Sequence, residues 1–202
     1  MLQVTELNNR KYASKNLIKR FLLSRFIQRI AQEMSTVKPA RILDFGCGSG
    51  AFWQEMGHTS SYWPAAITGI DLDEAAILQA REKNIPNAVF YPAKDGEQHL
   101  QKGNFDCVIC LEVLEHIKEP GIVLRKLCEL QPQHIVLSVP NEPWFRICQM
   151  ISLKNLSRLG NDIDHVQNWS ANGFKKFVQE YINITKVDTS AFPFTVIVGV
   201  PK

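Results

Sequence analysis

The sequence predicts an α/β domain, with a mostly parallel sheet covered by helices on both faces. Three observations carry that prediction. Short and nearly continuous apolar runs recur from RILDF (41–45) onward. Segments of helical apolar spacing separate them, as strand–helix–strand units require. At the end the alternation stops. YINITKVD and FPFTVIVGV follow one another with no helix between them, so they are expected to pair antiparallel.

The elements follow in chain order. In residues 15–34, Leu17, Phe21, Ile27, Ile30 and Met34 recur at helical spacing, and Lys19, Arg20, Arg25 and Arg29 lie largely elsewhere. A basic amphipathic helix of this kind either packs on the domain with its charged face in water or makes a peripheral contact with a membrane surface. Packing is the expectation, with residues 1–38 as an N-terminal helical cap. Pro39 breaks the chain before RILDF, and a helix can start after Gly50. AAITGID is a second strand, followed by the helical DEAAILQAREKN with Asp73 as its N-cap. AVFY is a third strand and FDCVICL a fourth, apolar enough to be buried on both faces. GIVLRKLCEL is a helix and HIVLSVP a fifth strand. Residues 141–169 depart from the pattern, mixing aromatics and asparagines without packing periodicity, and read as a substrate-covering insert. Ser170 is a candidate N-cap for the helical SANGFKKFVQEY. With no internal repeat and no composition shift, residues 1–202 read as a single domain.

Composition narrows the function classes. A hydrophobic share of 45% and a charged share of 21% belong to a soluble globular chain. A formal charge of +3 is too small to point to a nucleic acid or a membrane by itself. Cys107 and Cys110 form a C-x2-C inside an apolar strand, with no second pair at zinc spacing, so all five cysteines read as reduced thiols. Reduced thiols suit the cytoplasm, and the polar N-terminus shows no signal-peptide core.

Ligands of such sheets bind beyond the carboxyl ends of the strands. After the first strand come Asp44, Gly46, Cys47, Gly48 and Gly50. These glycines let the backbone turn tightly and touch a ligand. No Gly-Lys-Ser/Thr follows, so a Walker phosphate loop is excluded. Gly46, Gly48 and Ala51 do fit a dinucleotide fingerprint, and Asp71 follows at the expected distance. On this loop alone a dinucleotide and another adenosine cofactor both remain open. Asp44 leans towards the second, because a carboxylate there repels a pyrophosphate and suits a cation. Asp71, in GIDLDE, can accept from both hydroxyls of a ribose. Asp95, in YPAKDGEQ, can accept from an exocyclic amine or simply form a turn. If residues 112–118 are helical, Glu112, Glu115 and His116 share one face and could hold a cation, move a proton, or merely line a wall. Asn141 and Trp144 stand at cleft level, and His165 with Trp169 forms a polar–aromatic pair in the insert.

Together these residues resemble the class I S-adenosylmethionine-dependent methyltransferases, from about Ala40 to the C-terminus. LDFGCGSG looks like that superfamily's first motif, GIDLDE like its acidic second and FDCVICLEVLEHIKEP like its fourth. The resemblance implies a Rossmann-like seven-stranded sheet with an antiparallel last strand. It implies S-adenosyl-L-methionine as cofactor and S-adenosyl-L-homocysteine (SAH) as product. Gly46, Cys47, Gly48 and Gly50 would lie along the methionine, with Asp44 near its amino group. Asp71 and Leu72 would take the ribose, Asp95 and Gly96 the adenine edge, and Leu111 and Glu112 would close the pocket. His165 and His116 are the candidate bases.

EVLEH is similar to ubiquinone-pathway O-methyltransferases, which implies O-methylation of a small-molecule, lipid, quinone or sugar-like acceptor. It also resembles the segment by which small-RNA 2′-O-methyltransferases bind a divalent metal. That alternative would use Glu112, Glu115, His116 and His165, and it is not the favoured one. A third alternative is a non-catalytic cofactor-binding or partner-stabilising protein. Asn141-Glu142-Pro143-Trp144 stands where amino-methylating enzymes of DNA carry N-P-P-Y, which argues against base methylation.

Overall fold

In the computed structural model, residues 17–145, 148 and 166–202 are described. Seven strands form one sheet in the order β3-β2-β1-β4-β5-β7-β6. They are β1 (Arg41–Phe45), β2 (Ala66–Asp71), β3 (Ala88–Pro92), β4 (Cys107–Leu111), β5 (His134–Pro140), β6 (Ile182–Asp188) and β7 (Phe194–Pro201). The first five pair parallel, and β7 runs antiparallel between β5 and β6. The reversed last strand is therefore as the sequence predicts. Among the described residues no helix is long and apolar enough to cross a membrane.

Side chains of the central strands alternate between two cores, as a pleated strand buried on both faces must arrange them. Ile42, Ile67, Cys107, Ile109 and Val136 enter one core. Leu43, Ile70, Val108, Cys110 and Leu137 enter the other. The first core is covered by α1 (Leu17–Val37), α2 (Ala51–Thr59) and α3 (Glu74–Glu82). The second is covered by α5 (Pro120–Glu129) and α6 (Ala171–Val178), while α4 (Ala93–Gly96) is a single turn after β3.

Two helix starts are capped as their sequences specify. Asp73 accepts from Ala75 N (2.8 Å) and Ala76 N (3.1 Å), and Ser170 accepts from Gly173 N (3.2 Å). The first helix packs on the domain: Leu23, Phe26, Ile27, Ile30, Ala31 and Met34 are buried. Phe21, expected on that stripe, is 58% exposed. It lies nine positions before Ile30, about two and a half turns away and hence on the opposite face. Glu33, buried on the same helix, pairs with Lys186 of β6.

The five cysteines are free, and Cys107 and Cys110 are buried on opposite faces of β4. The returning end of the 141–169 segment is anchored to two loops. Val166 N and Gln167 N donate to the Glu115 carbonyl (2.8 and 2.9 Å), and Glu142 N donates to the Trp169 carbonyl (2.9 Å).

Candidate active site

The chain order of the sheet reverses between β1 and β4, where a crevice opens at the strands' carboxyl ends. A cavity of about 840 Å³ lies there. That is within the range of cofactor sites, roughly 300–1,000 Å³.

The loop after β1 forms its floor. Gly46 N donates to the Ile70 carbonyl at 2.8 Å and Cys47 N to the same oxygen at 3.2 Å, tying this loop to β2. Gly46 has φ +81°, and a Cβ on it would run into the Val113 side chain. Gly48 has φ +52° and faces open space, with no atom within 4 Å of a Cβ built there. A ligand can therefore lie directly on the backbone at Gly48.

Carboxylates dominate the polar part of the wall: Asp44, Asp71, Asp73, Glu74, Glu97 and Glu112. Lys126 is the one lysine or arginine among the described lining residues, and its ammonium is paired with Glu97 at 3.0 Å. Asp71 is held from both sides by main chain. Its Oδ2 accepts from Gly48 N (2.7 Å) and its Oδ1 from Asp73 N (2.9 Å). The Gly48 amide is thus already turned to a carboxylate. Burial raises the Asp71 pKa, and these backbone donors work against the rise.

Asp44 is 3% exposed, and its Oδ2 accepts from the Trp53 indole at 2.7 Å. Burial pushes its pKa up to about 7; the indole opposes the shift and the Asp71 charge adds to it. Burial likewise pushes the Cys47 thiol up, with Asp44 and Asp71 adding to the rise. Cys47 is therefore a neutral wall residue rather than a nucleophile.

Past β4, Glu112 takes a left-handed backbone (φ +59°), and Leu114–His116 form a 3-10 turn. The helical face expected for Glu112, Glu115 and His116 does not form, because Glu112 lies outside the turn. Its Oε1 accepts from Ser138 Oγ (2.9 Å), while Glu112 N donates to that hydroxyl oxygen (3.1 Å). Glu115 is buried, with Oε1 at 3.9 Å from His116 Nε2. Among the described residues no three His, Cys, Asp or Glu side chains converge as metal ligands. His165, the fourth residue of the metal set that the RNA-enzyme resemblance implies, lies outside the described residues.

Of the predicted site residues, Asp44, Gly46, Cys47, Gly48, Asp71, Leu72, Leu111, Glu112 and His116 line the cavity. Gly50, Asp95 and Gly96 do not line it. Gly50 starts α2 with φ +70° and abuts Ala80, Ile85 and Phe90, so it is needed for packing. Asp95 is exposed on the single turn α4, and Gly96 is buried against Ile70. Glu97 and Leu100 take the wall there, joined by Ile122 and Val123 of α5 and by Phe26 of α1. The turn after β3 contributes Ala93 as well as Glu97 and Leu100 to the wall, and its rotation rather than the motif decides which of its residues face inward. Asn141 Oδ1 instead caps Ala171 N at 3.1 Å, and Trp169 packs on Phe174 and Phe177. Trp144 is half exposed beside Phe192. His165 and most of the insert lie outside the described residues.

A doubly wound sheet with a reversed seventh strand and a glycine-floored, acid-rimmed crevice is the class I S-adenosylmethionine-dependent methyltransferase fold. A family model described as a methyltransferase domain matches residues 16–181, and the chain belongs to that family. It is 38% identical over 89 residues to the ubiquinone biosynthesis O-methyltransferase of Pseudomonas aeruginosa (strain LESB58), covering 42% of this chain and 37% of the relative. With the Bordetella avium (strain 197N) protein of the same description it shares 34% over 109 residues, 52% of this chain and 42% of the relative. The chain thus spans about two fifths of the length of the curated relatives it matches.

Among solved structures, magnesium protoporphyrin IX methyltransferase (ChlM) from Synechocystis PCC 6803 with bound SAH superposes with TM-score 0.67 at 18% identity, covering 98% of this chain and 95% of that one. The plantazolicin methyltransferase BpumL, in complex with a monoazolic desmethylPZN analog and SAH, gives 0.66 at 17%, covering 98% and 88%. The methyltransferase domain of bacterial CtHen1-C gives 0.67 at 16%, covering 89% and 98%. At such identities these likenesses concern the fold.

Proposed function

We propose that this chain transfers a methyl group from S-adenosylmethionine to an oxygen of a small, largely apolar organic acceptor. The observation that carries the cofactor reading is the cavity floor. Gly48 offers bare backbone to a ligand, between the carboxylates of Asp44 and Asp71. A dinucleotide would bring a pyrophosphate into that acidic site, whereas a sulfonium with an ammonium group suits it.

On this reading the parts divide along the strand ends. Gly46, Cys47 and Gly48 carry the methionine portion, with Asp44 towards its ammonium. Asp71 has both oxygens oriented by backbone, leaving lone pairs for the ribose hydroxyls. Leu72, Ala93, Ile122 and Val123 sandwich the adenine beyond β3, and Glu97 replaces Asp95 at its edge. Leu111 and Glu112 close the pocket.

When bound, the cofactor supplies a methyl carbon on a positively charged sulfur, a good leaving group. The acceptor's hydroxyl proton would go to a base on the cavity wall. The protein aligns donor and acceptor and keeps water out. His116 on the cavity wall and His165 are the candidate proton acceptors. The apolar acceptor is supported by Phe26, Phe52, Leu111 and Ile117 in the wall and by the O-methyltransferase names of the curated relatives.

Isothermal titration with S-adenosylmethionine tests the cofactor. A methyl-transfer screen over phenolic, lipid, glycan and RNA acceptors, with and without a chelator, tests the rest. Cofactor binding and chelator-resistant turnover on a phenol are expected. No binding at millimolar cofactor would overturn the whole reading, and chelator-sensitive turnover on RNA alone would replace its acceptor half. In an active system, His116→Ala should lower kcat about a hundredfold with cofactor affinity kept, the scale of a lost general base.

A further inference from the structure

Trp53 has no part in the cavity wall, yet it touches the wall's most buried acid. It is fully buried, the largest such side chain among the described residues. Phe52 and Trp63 flank its ring edge-on, with centroids at 5.1 and 5.8 Å and interplanar angles of 75°. Trp63 is itself pinned, its indole donating to the Pro86 carbonyl at 3.0 Å. A position of this kind needs only an apolar ring. The indole adds one donor, and that donor goes to Asp44 Oδ2 at 2.7 Å. Phenylalanine would keep most of the packing and lose only that bond.

We propose that Trp53 is a positioning residue for the cofactor, its indole N–H holding the Asp44 carboxylate at the cavity wall for the cationic amino end of S-adenosylmethionine. This rests on the cofactor reading above. Asp44 stands one residue before the end of β1, beneath the glycine loop and on the cavity wall, so the oxygen that the indole leaves is the one that can meet a ligand. The orientation is selected by a rigid donor, because the aromatic flanks leave the indole no room to turn.

The electrostatics agree with the geometry. The titratable groups that face Asp44 are Asp71 of β2, Cys47 of the loop and Cys110 of β4. The two thiols are pushed far up by burial and stay neutral, and the Asp71 charge opposes ionisation of Asp44. The indole hydrogen bond is the favourable influence on the charged form, set against burial that brings Asp44 to about 7. Deleting that donor leaves Asp44 protonated to higher pH and less able to bind a cation.

The test measures the S-adenosylmethionine dissociation constant from about pH 6 to about pH 9 for the wild type, Trp53→Phe, Asp44→Asn and the double variant. Trp53→Phe should weaken binding about tenfold at neutral pH, the scale of a hydrogen bond to a charged group, and the loss should shrink as pH rises. Asp44→Asn should bind weakly with little pH dependence, and adding Trp53→Phe to it should cost little more. Replacing Trp53 with β-(3-benzothienyl)alanine keeps the ring's shape without the N–H and should repeat the Trp53→Phe result, which covers the case in which phenylalanine fails to fold. Wild-type binding with no loss in either replacement, or an equal loss with and without Asp44, overturns this inference alone. Absence of wild-type binding overturns it together with the cofactor reading.

Discussion

Two aspartates stand near the carboxyl ends of neighbouring strands of the same crevice and are held in opposite ways. Asp71 is gripped by main chain, from Gly48 on one side and Asp73 on the other. Asp44 is gripped by one side chain, the Trp53 indole. Burial raises the pKa of both, but only Asp71 has backbone donors to support its charge. A carboxylate held by backbone is as robust as the loop that carries it. One held by a side chain depends on a single replaceable residue. The hold on Asp71 is thus written into the loop's conformation, and the hold on Asp44 into the packing of α2.

The largest test of that contrast is Asp71→Ala. It leaves the Gly48 and Asp73 amides without their acceptor and removes the proposed ribose contact. Titration should show cofactor affinity down about a hundredfold, since hydrogen bonds to a charged group contribute ~1.5–3 kcal/mol each. A loss below tenfold would break the ribose assignment.

Asp44 separates stability from binding. Its folded pKa of about 7 lies above the ordinary carboxylate value of 3.8, so the folded state holds an extra proton between these values. Stability therefore falls as pH rises through that window. Asp44→Asn should make the cofactor-free protein more stable than wild type at pH 8, by roughly 2–3 kcal/mol, and the gain should vanish towards pH 4. Thermal melts across pH check this, and a flat difference between the two proteins would contradict it.

The loop that joins the two aspartates is next. Gly46→Ala places a Cβ at φ +81° against Val113 and should cost about 2 kcal/mol of stability. Adding Val113→Ala should relieve the clash and leave about 1 kcal/mol of backbone cost, read as partial recovery of Tm. The smallest effect belongs to Lys126, the half-exposed cation in a wall of carboxylates. Lys126→Gln should tighten cofactor binding only two- to threefold, about 0.5 kcal/mol, and high salt should erase the difference.

Most of the frame was legible in the chain itself. The seven strands, the caps Asp73 and Ser170 and the reversed β7 could all be read from apolar periodicity and short polar signals. The glycine floor and Asp71 were legible because backbone geometry demands those residue types. Asp95, Gly96 and Gly50 fall outside the cavity lining for one reason. A motif locates a loop on the sheet edge, but the turn's rotation decides which residues look inward. The 3-10 turn at Leu114–His116 shows the same limit, since the spacing of EVLEH is compatible with an α-helical face that a left-handed Glu112 prevents.

By itself the sequence determined where the strands end, which glycines the backbone needs and that acids ring the crevice. Local physics settles these, through alternation along a strand, steric freedom at positive φ and the chemistry of a cap. Only the tertiary structure decided how each acid is held. The contacts from Trp53 to Asp44 and from Ser138 to Glu112 join residues on different elements, and no period in the chain encodes them. They exist because packing brings α2 under β1 and β5 beside β4, and burial then turns an ordinary hydrogen bond into the feature that sets a carboxylate's charge and aim.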